Sequence, residues 1–119
     1  MKSPIMHFEI AGRDGPALES FYSELLGWRI ERRDMSHTQY SYIDTQGQDY
    51  SGGIRHEPGG HAEVVVYFEV PDLDSAVAEA ERLGATIRIP PMEGNGAYFA
   101  LISDPEGNPA GLIQRVPDA

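Results

Sequence analysis

Cysteine is absent from this 119-residue chain, which excludes a disulfide framework, a thiolate metal site and a cysteine nucleophile. Basic residues are scarce: 9 lysines and arginines stand against 19 aspartates and glutamates, a formal net charge of -10. Such a balance repels phosphate backbones, so nucleic acid is not expected as a partner, whereas a cationic ligand is tolerated. The plainer reading of the charge is solubility. No apolar run approaches the length of a membrane span, and Met1–Ile10 lacks the basic-then-apolar layout of a signal peptide. A cytoplasmic protein without a membrane partner is therefore expected. Neither Gly52-Gly53 nor Gly59-Gly60 has the strand-to-helix setting and following lysine of a phosphate loop. The serines sit in no nucleophile motif, which leaves a hydrolase triad unsupported.

What is present is one pattern written twice. Ile5–Ile10 reads as a strand, with Met6, Phe8 and Ile10 on one face and His7 and Glu9 on the other. The period then changes: Leu18, Phe21, Tyr22, Leu25 and Leu26 form one apolar helical stripe. Asp14 or Gly15 can cap that helix, Pro16 suits its first turn and Gly27 its left-handed exit. Strands are expected at Trp28–Arg33, Gln39–Asp44 and Gly52–Arg55.

His56–His61, with Pro58-Gly59-Gly60, reads as a linker. The second half repeats the order, with strand Val64–Val70, a helix over Asp74–Leu83 ending at Gly84, and strands Thr86–Ile89, Tyr98–Ser103 and Ala110–Arg115. Asp104-Pro105-Glu106-Gly107-Asn108 is a turn. The fold class is α+β: two βαβββ modules, residues 1–58 and 59–119, together one domain. A mixed sheet with helices on its outer face is expected to curl into a cup that suits a ligand.

In this order of signals the chain resembles the vicinal oxygen chelate superfamily, which includes glyoxalase I, bleomycin-resistance proteins, fosfomycin-resistance enzymes and extradiol dioxygenases. The resemblance is carried by His7-Phe8-Glu9-Ile10, Phe21-Tyr22-Ser23-Glu24-Leu25-Leu26-Gly27-Trp28, Phe68-Glu69-Val70-Pro71-Asp72-Leu73-Asp74 and Asp104-Pro105-Glu106-Gly107-Asn108. It resembles in particular the small glyoxalase-like branch. Catalytic members place metal ligands on the first and last strand of each module, and the matching positions here are His7, Val65, Gly53 and Gly111. Valine and glycine side chains offer no lone pair, and one imidazole cannot hold a divalent ion against water. The resemblance therefore implies the fold without the usual metal, and no cofactor is expected. It also implies a homodimer.

Several residues are candidates for chemistry. His7 and Glu9 share a strand face, and the functional reading is an imidazole base or hydrogen-bond donor oriented by the carboxylate. The alternative is a polar wall left from an ancestral metal site. His56 and His61 with His37 could form a different metal site, although histidines beside glycine and proline are usually solvated. Tyr40 and Tyr42 share a face, as do Val65, Tyr67 and Glu69, and Tyr98 opens the strand equivalent to that of Tyr40. Tyrosines in these places suit a pocket for a planar ligand, or plain sheet packing. Gly53 and Gly111 either widen the cup or permit close packing.

Three functions follow. The first is a metal-independent protein binding a small organic molecule, with lyase or isomerase chemistry by His7 and Glu9 as its catalytic form. The second is a metal-dependent lyase or dioxygenase with atypical ligands, resembling lactoylglutathione lyase. The third is a non-catalytic interaction module.

Overall fold

Local chemistry sets the two helices. Helix α1 (Gly15–Leu26) begins where the Asp14 carboxylate accepts the Ala17 amide at 3.0 Å, with proline in its first turn. It ends at Gly27, whose φ of 69° is the left-handed exit that glycine reaches without strain. Helix α2 (Leu73–Arg82) is capped by Asp72, which accepts the Ser75 amide at 3.2 Å. The Gln114 carboxamide oxygen accepts the Leu73 amide at 2.7 Å, so a second orphan donor of that helix start is satisfied. The computed structural model describes residues 2–34, 39–94 and 96–115. Among them, no helix is long and apolar enough to cross a membrane.

Residues 6–65 form one compact unit, and residues 1–5 with 66–119 form another. The first holds β1 (Ile5–Gly12), α1, β2 (Ile30–Asp34), β3 (Gln39–Ile43) and β4 (Ser51–His56). Its strands lie in the order β2-β3-β4-β1, with β1 and β4 parallel and the other pairs antiparallel. Ile43 and Ile54 are buried here. The far end of the Phe8 ring covers Gly52, where any β-carbon would meet it at 2.4 Å.

The apolar stripe of α1 does not become core. Phe21 and Leu25 are 55% and 63% exposed, while Glu19 turns toward the sheet. The carboxylate of Glu19 accepts from the buried Ser41 hydroxyl at 2.8 Å and from Arg32 at 2.8 Å. A buried hydroxyl needs a partner, and this pairing brings a polar helix position to the sheet.

The second unit holds β5 (Glu63–Glu69, from Val66 onward), α2, β6 (Thr86–Gly94), β7 (Ala97–Ser103) and β8 (Pro109–Arg115). The order is β5-β8-β7-β6, with β5 and β8 parallel. Its core is Val70, Leu73, Val77 and Ala100, with Ala76, Ile87, Tyr98 and Leu112 packed against it. Each unit is thus βαβββ with a mixed sheet, as expected for the α+β class.

Strand β6 runs past the expected end at Ile89, through Pro90 and Pro91 to Gly94. The prolines fall within the register shift between Ile89 and Met92, where ladder donors are not required. In the 104–108 turn, Asp104 Oδ1 accepts the Glu106 and Asn108 amides, each at 2.9 Å. These bonds, led by the one from the Asn108 side chain, hold the Asp104 carboxyl below the usual range.

Candidate functional site

Strand β1 puts His7 and Glu9 on one face by alternation. His7 Nδ1 lies 2.5 Å from Ser51 Oγ and Nε2 lies 2.7 Å from the Tyr40 hydroxyl. A neutral imidazole carries one N–H, so it donates to one hydroxyl and accepts from the other. The His7 and Tyr40 rings are stacked at 24° with centroids 6.3 Å apart, and Tyr42 meets Tyr40 edge-on at 5.2 Å. Burial lowers the His7 pKa from 6.5 to about 4, because a cation there would lose its hydration. The ring is therefore neutral near pH 7.

Glu9 is buried and pairs with Arg55 at 2.7 Å. The same guanidinium lies 3.0 Å from Glu63 and 3.0 Å from Glu57. One cation thus holds three carboxylates together. The imidazole is held by Ser51 and Tyr40, and Glu9 is drawn toward Arg55 by charge.

Glycine makes the tyrosine positions possible. A β-carbon at Gly53 would lie 2.1 Å from the Tyr40 hydroxyl, and one at Gly111 would lie 2.1 Å from the Tyr67 ring. Each glycine of the repeated pair is covered by a tyrosine of its own unit, so the space left by the missing side chain holds a ring. Val65 and Tyr67 are buried.

Tyr98 is placed differently from the expectation. It packs with the core under α2 and donates its hydroxyl to Asp74 at 2.9 Å, a bond that also raises its pKa. Register explains the difference. Tyr42 pairs with Gly53 as Leu101 pairs with Gly111, so the counterpart of Tyr40 is Phe99. Tyr98 is one residue away, and one residue along a strand reverses the face.

Sequence reasoning passed over Ser51 and Arg55. Both lie two residues from Gly53, so strand alternation alone places them on its face. Glu63, by contrast, carries no signal that would pair it with Arg55.

The metal positions implied by the resemblance offer a poor donor set. His7 already bonds two hydroxyls, Val65 is aliphatic, and Gly53 and Gly111 lie under tyrosine rings. These residues do not fit a divalent ion. Among the described residues, no three histidine, aspartate or glutamate side chains gather to ligate one. His56 Nδ1 instead accepts the Gly15 amide at 2.8 Å at the start of α1, and His61 is exposed. His37, the third member of that alternative, lies outside the described residues.

Two βαβββ units with a parallel first and last strand define a protein of the vicinal oxygen chelate superfamily. Residues 7–113 match the glyoxalase-like domain, and the chain belongs to that family. Several solved structures share the fold. A hypothetical protein from Bacillus halodurans has a TM-score of 0.76 at 13% identity, over 100% of this chain and 99% of that one. Methylmalonyl-CoA epimerase from Mycobacterium tuberculosis has a TM-score of 0.71 at 14% identity, over 95% of this chain and 88% of that one. A variant of the Streptomyces coelicolor epimerase in complex with 2-nitronate-propionyl-CoA has a TM-score of 0.73 at 15% identity, over 98% and 100%. A search of curated proteins finds none that matches.

Proposed function

We infer that the protein binds a small planar organic molecule against the His7–Tyr40–Tyr42 face, without metal and without proton transfer by His7 or Glu9. The observation carrying this reading is the Ser51–His7–Tyr40 chain, with bonds of 2.5 and 2.7 Å. It holds two aromatic rings and their polar atoms in place before a ligand arrives, which lowers the ordering cost of binding. A base with a pKa of about 4 is poorly matched to chemistry near neutral pH, and Glu9 is committed to Arg55. Both features favour binding over catalysis.

The solved relatives include an epimerase in complex with methylmalonyl-CoA. The face described here holds one guanidinium against three carboxylates, which disfavours a polyanionic coenzyme A ester. Native mass spectrometry of the protein as purified tests the reading. A retained small molecule that is lost in Tyr40→Phe and His7→Gln variants is the expected result. The reading is wrong if nothing is retained and no neutral or cationic aromatic compound in a broad panel raises the melting temperature.

The reading includes a homodimer, supported by the exposed apolar side chains Phe21, Leu25 and Leu26 of α1. Sedimentation equilibrium at micromolar concentration tests it, and a single-chain mass would remove it.

A further inference from the structure

A concave region lies on the face of the first unit's sheet that carries Phe8, opposite the His7 face. The cavity is about 400 Å³, within the usual range for small-ligand sites. Its apolar part combines Phe8, Trp28 and Tyr50 with the aliphatic Leu26 and Ile43. Phe8 meets Trp28 at 6.0 Å and 50°, and meets Tyr50 at 6.1 Å and 64°. Neither pair is parallel, so Trp28 and Tyr50 each stand at an angle to the Phe8 ring. Tyr22 stacks on Trp28 at 5.3 Å and 22°.

The polar rim comes from the turn between β3 and β4, with Asp44, Thr45, Gln46 and Gln48. That turn is held by Asp44 Oδ1 accepting the Gln46 amide at 2.8 Å and by Thr45 donating to the Tyr50 carbonyl at 2.9 Å. Gln46 sits at a φ of 55°, the left-handed region that non-glycine residues seldom occupy. A backbone held there in a lining residue is consistent with a shaped site.

Charge decides the ligand class. Among the described residues, the lining contains one carboxylate, Asp44, and no lysine, arginine or histidine. Leu26, the last residue of α1, also lines the cavity, and no basic residue occupies that helix's last turn. The carbonyl end of a helix carries partial negative charge, and the faces of aromatic rings attract cations. All three features favour a positive ligand with apolar substituents.

We propose that this cavity binds an organic ammonium ion, its alkyl groups against Phe8, Trp28 and Tyr50 and its charge facing Asp44. The site is independent of the one on the His7 face. Trp28 is the only tryptophan of the chain, so its fluorescence reports on this cavity alone. The full-length protein is titrated with choline chloride at constant ionic strength, with dimethylbutanol, the uncharged carbon isostere of choline, run in parallel. A saturable fluorescence change with choline and none with the isostere is expected. Asp44→Asn, which keeps the acceptor for the Gln46 amide, should weaken choline by about fivefold or more. Tyr50→Ala, at a residue 41% exposed, should abolish the change while circular dichroism stays native. Tyr40→Phe should leave choline affinity unchanged, which separates this site from the His7 face. Absence of a saturable change, equal binding of the isostere, or an unaltered affinity in Asp44→Asn would overturn the proposal.

Discussion

The lowered pKa of His7 predicts a specific acid sensitivity. The imidazole titrates at about 4 when folded and at 6.5 as a free side chain. Between those values the unfolded chain binds a proton that the folded one refuses, so stability is full above pH 6.5 and declines as pH falls toward 4. The gap corresponds to a total loss of about 3 kcal/mol. About 2 kcal/mol of it should appear between pH 7 and pH 5, before most carboxylates titrate. Glutamine at position 7 keeps a donor and an acceptor but does not titrate. Urea denaturation of the wild type and His7→Gln at pH 7 and pH 5 isolates the effect, because other groups contribute equally to both. The wild type should lose about 2 kcal/mol more than the variant over that interval. Parallel losses would refute the burial argument, as would an NMR titration placing the His7 midpoint near 6.5.

Other perturbations have clear directions. Gly53→Ala and Gly111→Ala force a β-carbon against Tyr40 and Tyr67 and should each cost about 1–3 kcal/mol by thermal or chemical denaturation. Pairing Gly53→Ala with Tyr40→Ala should remove much of the clash penalty; an additive double mutant would argue against it. Arg55→Met leaves Glu9 and Glu63, with side chains only 5% and 11% exposed, without their guanidinium. A loss of about 3–5 kcal/mol is expected near neutral pH, partly recovered by adding Glu9→Gln, and a loss below about 1 kcal/mol would mean the cluster is hydrated. Ser41→Ala leaves Glu19 with Arg32 alone and should cost about 1 kcal/mol, a change readable by urea titration.

Local chemistry was legible because it acts over a few residues. Asp14, Pro16 and Gly27 bound α1, and Asp104 through Asn108 close on themselves as a turn. Alternation put His7 and Glu9 on one face, and residue types alone showed that Val65, Gly53 and Gly111 cannot ligate a metal. What escaped depended on long-range contacts. The α1 stripe suggested core, yet the buried Ser41 hydroxyl draws Glu19 inward and leaves Phe21 outside. Glu9 and Arg55 are 46 residues apart, and no local rule joins them.

The repeated order of elements, the caps, the turn chemistry and the poor donor set at His7, Val65, Gly53 and Gly111 were all determined by the sequence, since each depends on residue identity and short spacing. Tertiary structure alone decided what fills the space over the paired glycines, which residues share the His7 network, and that Tyr98 belongs to the α2 core. Those outcomes depend on strand register, and a register change of one residue moves a side chain to the other face of the sheet.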